Sequence, residues 1–135
     1  MTDQKRDWTT HGNVGVVLRF IVPESSKHRG EIMHDWLLLA AKKIGVHGGS
    51  AFHGIAGFGR QGVLREEHFF ELAGDLPVEI SLICTEEQAY RLLDMVEDAE
   101  LSLFYSMSPS QYGITGKDRP KAPAHVGRGS RTHDR

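Results

Sequence analysis

The order of strand-like and helix-like patterns constrains the fold of this chain more than any other feature. Alternating apolar residues predict a strand at Val14–Val22, and Pro23 ends it because proline cannot donate to a strand ladder. Apolar residues at helical spacing predict a helix over Glu31–Ile44, and Gly45 suits the position after its last turn. A glycine-punctuated strand is expected at Val46–Ile55.

The second half of the chain repeats this succession. A strand is expected at Val78–Cys84, and Thr85 with Gln88 has the spacing of a capping box that begins a second helix. Alternation at Leu101–Met107 predicts a last strand. The order β-α-β-β-α-β predicts a ferredoxin-like α+β fold, with a four-stranded antiparallel sheet and both helices on one of its faces.

The other face of this sheet also carries apolar side chains. Val17 and Ile21 alternate with the residues expected to face the helices, and they flank Arg19. A small sheet with an uncovered apolar face must bury that face, and oligomerisation is the usual means.

Charge divides the sequence into a body and a tail. Residues 1–107 carry 10 lysine and arginine residues against 16 acidic ones, whereas residues 108–135 carry 6 against 2. We expect a flexible N-terminal arm at 1–13, a folded domain at 14–107 and a basic, disordered tail at 108–135. The formal net charge of −2 and the absence of aromatic platforms beside a basic stripe argue against nucleic-acid binding.

The single cysteine, Cys84, lies in an apolar run and is expected to be a small buried hydrophobe. No disulfide can form within one chain, which fits a reducing compartment. The N-terminal stretch lacks the apolar core of a signal peptide, and the longest apolar run, Trp36–Ala41, is too short to span a bilayer. The expected location is cytoplasmic.

A glycine-rich stretch, Gly57-Phe58-Gly59-Arg60-Gln61-Gly62, matches the pattern G-x-G-x-x-G. A dinucleotide-binding fold would need a long crossover helix after it, but Gly74 and Pro77 interrupt the chain too soon. Two interpretations remain. The glycines can serve tight turns between strands, or their backbone N–H groups can form an anion nest beside Arg60. The length of this connection favours the second.

The same stretch resembles the base of the T-loop in PII signalling proteins. The wider pattern is similar to small, poorly characterised PII-like bacterial proteins at Glu24–Gly30, Gly54–Gly59 and Asp75–Val78. The similarity covers roughly residues 14–107 and leaves out the tail.

This resemblance implies a homotrimer whose sheets face inward and whose ligand clefts lie between subunits. It also implies an adenine nucleotide as the ligand, with or without Mg²⁺, and a membrane transporter or an enzyme as the regulated partner. The implied binding residues are Gly57, Phe58, Gly59, Arg60 and Gln61, with the Gly59 N–H facing phosphate and Gln61 reaching the ligand or its metal ion.

Two departures from the family pattern bear on the ligand. The link Glu97–Glu100 is short and acidic where PII proteins have a glycine-rich, lysine-containing loop, and His53 stands where PII-like relatives often have arginine. These two departures imply a ligand that is less anionic or that is held by other groups. Lys27, His28 and Arg29, expected at the N-terminus of the first helix, are candidate ligands for an anion, although a solvated basic loop explains them equally well.

Two other classes of function stay open. A small oligomeric enzyme of the isomerase or monooxygenase type could use His53 or His68 as a base, although no catalytic motif is present. The eight histidines could also form a metal site at an interface, although none shows a metal-binding spacing. The acidic residues Glu66, Glu67 and Glu71 are interpreted as a solvated face, so no metal ligand is assigned.

Overall fold

The structure is a computed structural model of the 135-residue chain, and it describes residues 5–57 and 75–116. Within these residues a 3-10 turn at Trp8–Thr10 precedes the strands and helices of the sheet domain. The strands are β1 (Asn13–Pro23), β2 (Lys27–His28), β3 (Glu31–Ile32), β4 (Gly48–His53), β5 (Pro77–Cys84) and β6 (Phe104–Tyr112), and the helices are α1 (Met33–Lys43) and α2 (Glu86–Asp98).

The four long strands form one antiparallel sheet in the order β4-β5-β1-β6. Strand β5 pairs with β1 on one side, from Val16 opposite Cys84 to Pro23 opposite Pro77. On its other side it pairs with β4, which forms one edge of the sheet. This arrangement confirms the predicted ferredoxin-like fold with a four-stranded antiparallel sheet.

One face of the sheet packs against the helices and forms the core. Alternate residues of β1 and β5 point into it, as the period of two requires, and their neighbours do not. Helix α2 begins with the predicted capping box, in which Thr85 and Gln88 each accept a hydrogen bond from the other's backbone N–H. The largest fully buried side chains are Phe20, Leu18, Leu37, Ile80, Leu82, Leu92, Val22 and Cys84.

We call the opposite side of the sheet the open face. In the described part of the chain no helix or strand covers it. The register places side chains from three strands there in three rows, which are Gly48–Ile83–Val17, Ser50–Ser81–Arg19 and Phe52–Glu79–Ile21. Of these nine residues four have apolar side chains, two are serines, one is glycine, one is basic and one is acidic.

A small hairpin that the sequence pattern did not indicate lies at Lys27–Ile32, between the first long strand and the first helix. Strands β2 and β3 pair with Lys27 opposite Ile32 and His28 opposite Glu31. Glu31 therefore belongs to a strand, and α1 begins at Met33 instead of at Glu31. The prediction was wrong at this point because two-residue strands are too short to produce a recognisable alternation.

The last strand also differs from the prediction. It begins at Phe104, not at Leu101, and continues through Pro109 to Tyr112. Residues 108–112, which the sequence assigned to the tail, therefore belong to β6. The rest of the predicted tail from residue 117 onward lies outside the described residues.

The chain divides into two compact units, Gly15–Ser110 and a smaller one made of Met1–Val14 with Gln111–Arg135. Within the smaller unit, the Gln111 side-chain amide donates to the Trp8 carbonyl, and Asp7 caps the 3-10 turn by accepting from the Thr9 N–H. The part of the predicted flexible arm that the structure describes thus has ordered hydrogen bonds. No helix among the described residues is long and apolar enough to cross a membrane.

Candidate functional site

The glycine-rich stretch leaves the sheet at the end of β4, and the chain returns at the start of β5. We call the residues at this point, Glu24, His53, Gly54, Gly57 and Pro77, the loop base. The Gly54 N–H donates to the Pro77 carbonyl at 2.7 Å, which continues the β4–β5 ladder by one step. Gly54 and Pro77, which precede and follow the segment 58–74 in the sequence, are therefore held side by side.

The two glycines of the loop base are packed against one proline ring. A Cβ atom at Gly54 would lie 2.9 Å from Pro77 Cγ, and one at Gly57 would lie 3.4 Å from the same atom. A side chain at Gly54 would therefore push the outgoing chain off the incoming one. The absence of side chains keeps the backbone compact as it enters the G-x-G-x-x-G stretch.

Glu24 links three strands at this end of the sheet. Its N–H donates to the Leu76 carbonyl at 2.9 Å, and its carboxylate Oε2 lies 3.2 Å from His53 Nε2. The next residue, Ser25, donates its N–H to the Asp75 carboxylate at 2.8 Å. The end of β1 is thereby tied to the end of β4 and to the start of β5.

The predicted cationic residues lie on the β2–β3 hairpin, immediately before α1. Arg29 and Gly30 form its turn with φ of 53° and 84°, so Arg29 occupies the left-handed region that favours glycine and asparagine. Lys27 and Arg29 are exposed, whereas His28 is half-buried and packs edge-on against Trp36 with 5.2 Å between ring centroids. The Ser26 carbonyl accepts from the Met33 N–H at 2.8 Å, which fixes the hairpin to the start of the helix.

The predicted ligand-binding residues are thus placed in two groups. His53 and Gly57 lie at the loop base, and the group Lys27, His28 and Arg29 lies on the hairpin. Neither Lys27 nor Arg29 takes part in an ion pair within residues 5–57 and 75–116. The predicted residues 58–61 (Phe58, Gly59, Arg60, Gln61) and the alternative base His68 lie outside the described residues.

The acidic link of the sequence is a tight helix end in the structure. Helix α2 ends at Asp98, Ala99 is its C-cap, and Glu100 adopts φ of 59°. Strand β5 leaves the loop-base end of the sheet and α2 runs back, so this acidic turn returns to the same end as Glu24 and Asp75. Carboxylates are therefore numerous here, so an anion bound at this end needs cationic groups that offset their repulsion.

In the described part of the chain, no three histidine, cysteine, aspartate or glutamate side chains are close enough together to hold a metal ion. At His53, for instance, the ion pair within the described residues is with one carboxylate, that of Glu24, and these two groups do not make up a metal site. The Cys84 thiol is buried in the core, away from the open face, and burial raises its pKa.

Glu24 and Pro77 both shape the site, although the sequence pattern indicated no binding role for either residue. The two lie 53 positions apart in the sequence, so no local motif joins them. The signal that could have found them is the register: Pro23 opposes Pro77, and Val78 opposes both Val22 and His53. Pairing the predicted strands Val14–Val22 and Val78–Cys84 antiparallel, centre to centre, would have brought the end of the first strand to the start of the second.

The β-α-β-β-α-β order and the four-stranded antiparallel sheet define a protein of the ferredoxin-like α+β class, with a glycine-rich sequence between its second and third long strands. The family model DUF190, described as "Uncharacterized ACR, COG1993", matches residues 15–102, and the chain belongs to this family. A UPF0166 protein of Aquifex aeolicus is 32% identical over 81 residues, which cover 60% of this chain and 77% of that protein. A UPF0166 protein of Methanocaldococcus jannaschii is 34% identical over 77 residues, covering 57% of this chain and 70% of the relative.

One solved structure shows the same fold at low sequence identity. The CPII protein of Thiomonas intermedia, solved bound to ADP, AMP and acetate, superposes with a TM-score of 0.55 and 16% identity. The superposition covers 76% of this chain and 92% of CPII. A PII-like signalling protein of Thermus thermophilus superposes with a TM-score of 0.47 and 17% identity, over 74% of this chain and 91% of that one.

Proposed function

We propose that this protein is a PII-like regulator that binds an adenine nucleotide at the loop base, in clefts between three copies of the chain. Membership of the DUF190 family and the shared fold with CPII support the regulatory class. The nucleotides in the CPII structure support an adenine nucleotide as the effector. The protein would act in the cytoplasm and without catalysing a reaction of its own.

The observation that carries this proposal is the loop base. Gly54 and Gly57 lie on Pro77 without side chains, directly before Gly59 and Arg60. The Gly54 N–H is occupied by Pro77, so the N–H groups proposed to bind phosphate oxygens are those of the following glycines, and an arginine beside them adds a bidentate donor. Occupation of this site would change the conformation of the segment 58–74, which would then engage or release a target such as a transporter or an enzyme.

The three-copy assembly is supported by the open face. Its apolar side chains are exposed in the single chain, and a protein of 135 residues gains stability by burying them. Clefts between copies would add groups from a neighbour to the loop base of each chain, whose five residues include no lysine or arginine.

Thermal unfolding in the presence of AMP, ADP and ATP, each with and without Mg²⁺, tests this function. A ligand at a hundredfold excess over its Kd stabilises the folded state by about 2.7 kcal/mol, which is a measurable rise in Tm. We expect this rise for the native chain and for Arg65→Ala, and its loss in Arg60→Ala. Arg65 is the matched control because it belongs to the same segment but lies outside the G-x-G-x-x-G stretch.

The absence of any nucleotide-dependent shift in the native chain would refute nucleotide binding. An equal shift in Arg60→Ala would refute the placement of the site. A shift with Zn²⁺ or Cu²⁺ instead, lost in His53→Ala, would replace the proposed function by metal binding.

A further inference from the structure

One ion pair lies on the open face, beside its apolar side chains. Arg19 Nε is 3.4 Å from Glu79 Oε2, and the side chains of the two residues are 39% and 41% exposed. They come from adjacent strands and are offset by one row, since Arg19 opposes Ser81 and Glu79 opposes Ile21. The remaining residues of the three rows carry no ionisable group.

The surroundings of Glu79 are apolar on both sides. Its cross-strand neighbours are Ile21 on β1 and Phe52 on β4, and these side chains are 41% and 55% exposed. Ile83 lies on the same face of β5 and is 40% exposed. Whatever covers these apolar groups must therefore also cover the carboxylate and the guanidinium.

Covering this pair restricts the choice of partner. Removing an ion from water costs several kcal/mol unless new charges or hydrogen bonds replace the lost solvation. An uncharged apolar surface would leave that cost uncompensated, and a surface of one sign would match one group and repel the other. A surface that carries both signs at the same spacing compensates both groups.

A second copy of this chain carries such a surface. We infer that the Arg19–Glu79 pair selects another copy of the chain as the occupant of the open face, with Arg19 of one copy meeting Glu79 of the next. The inference rests on the assembly proposed above and adds the residues that determine self-recognition. The apolar neighbours supply the contact area, and the charges decide which partner fits.

A charge exchange tests this inference. The variant Arg19→Glu/Glu79→Arg and the native chain are co-expressed with different tags, and the masses of the assemblies are measured by native mass spectrometry. We expect each chain to form oligomers of the same mass with itself, and hybrid oligomers to be at least about tenfold rarer than random mixing gives, a difference of about 1.4 kcal/mol. The matched control, Glu87→Arg/Arg91→Glu on the exposed surface of α2, should mix randomly with the native chain.

Random mixing of the exchanged and native chains would overturn the inference while leaving the assembly intact. Failure of the exchanged chain to assemble, with native circular dichroism, would also overturn it, because exchanged charges match each other equally well. A native chain that is monomeric would instead refute the assembly itself.

A second set of variants tests the inference in case the Arg19→Glu/Glu79→Arg protein does not fold. Arg19→Met leaves Glu79 uncompensated and should weaken the assembly, whereas Arg19→Met/Glu79→Leu should restore it as an apolar interface. Equal assembly of the single variant and the native chain would overturn the inference as well.

Discussion

Gly49 is the residue of the edge strand that most directly limits packing between the sheet and α1. A Cβ atom there would lie 2.5 Å from Leu82 Cδ2 and 3.2 Å from Leu38 Cδ2. Leu82 is fully buried, so moving its side chain away would disturb the close-packed core. We expect Gly49→Ala to lower the free energy of unfolding by about 1–3 kcal/mol, the usual cost of overpacking.

Urea unfolding measures this cost, and Gly48→Ala is its matched control. A Cβ atom at Gly48 would meet nothing within 4 Å in the chain. The control should therefore change stability by less than about 0.5 kcal/mol. Equal losses in the two variants would show that strand propensity, and not contact with Leu82 and Leu38, limits this position.

Cys84 is a second single residue that affects the free energy of unfolding, and its effect depends on pH. Burial raises the pKa of its thiol above the ordinary value of 9.0. The unfolded chain therefore loses this proton at lower pH than the folded chain. The stabilisation of the folded state by the protonated thiol is fully present below the unfolded-state pKa. It is lost as the pH rises through the folded pKa.

We accordingly expect the free energy of unfolding to fall as the pH rises above 9.0, the ordinary pKa of the thiol, and to fall more steeply for the native chain than for Cys84→Ala. Denaturant unfolding at a series of pH values measures the two slopes. The cavity in Cys84→Ala lowers stability at every pH, so only the difference in slope is informative. Parallel profiles would contradict the assignment.

At the scale of elements, the β2–β3 hairpin holds a cation in an unfavourable backbone conformation. Arg29 has φ of 53°, in a turn where asparagine is preferred. We expect Arg29→Asn to raise the Tm of the free protein, by a stability gain of less than about 1 kcal/mol. If Arg29 contributes to anion binding, the same variant should reduce the Tm shift caused by nucleotide.

Arg29→Lys is the matched control for this experiment. It keeps the positive charge and the β-carbon, so the backbone cost stays and the nucleotide response should largely survive. A full response in Arg29→Asn would instead support the interpretation of the hairpin as a solvated basic loop. The two measurements separate the role of the turn from the role of the charge.

The elements that the sequence predicted correctly are those with long, regular patterns. Apolar alternation located β1 and β5, and the capping residues Thr85 and Gln88 located the start of α2. The hairpin was missed because its pairing is only two residues long. The end of β6 was missed because Pro109 suggests a break, whereas an edge strand tolerates a proline that a central strand does not.

The same limit applies to the candidate site. The glycine-rich stretch and His53 were visible as local signals, and the structure places His53 and Gly57 at the loop base. The contact of His53 with Glu24 was not visible, because it depends on which strand ends meet across the sheet. Side chains that approach through topology can be located only after the register is known.

At the scale of the whole molecule, the sheet is covered by helices on one side, and no described element covers the other. The row Gly48–Ile83–Val17 contains no ionisable side chain. Met107 of β6 packs against the core, so Phe104, an odd number of positions away on the same strand, lies on the open face. Four large apolar side chains on this surface, Ile21, Phe52, Ile83 and Phe104, are 40% to 55% exposed, and such groups mark interaction surfaces. The molecule's proposed function therefore depends on how its copies assemble.

The variant Ile83→Glu tests this dependence, because it adds a charge to the middle strand of the open face without touching the loop base. We expect light scattering to report one chain per particle in place of three, and the nucleotide-dependent rise in Tm to disappear, since a cleft between copies needs both of them. Leu39→Glu, which adds the same charge at a 52% exposed position of α1, should retain both the assembly and the rise. An Ile83→Glu protein that stays trimeric would place the interface on another surface. A monomeric variant that keeps the full rise would place the nucleotide site within a single chain.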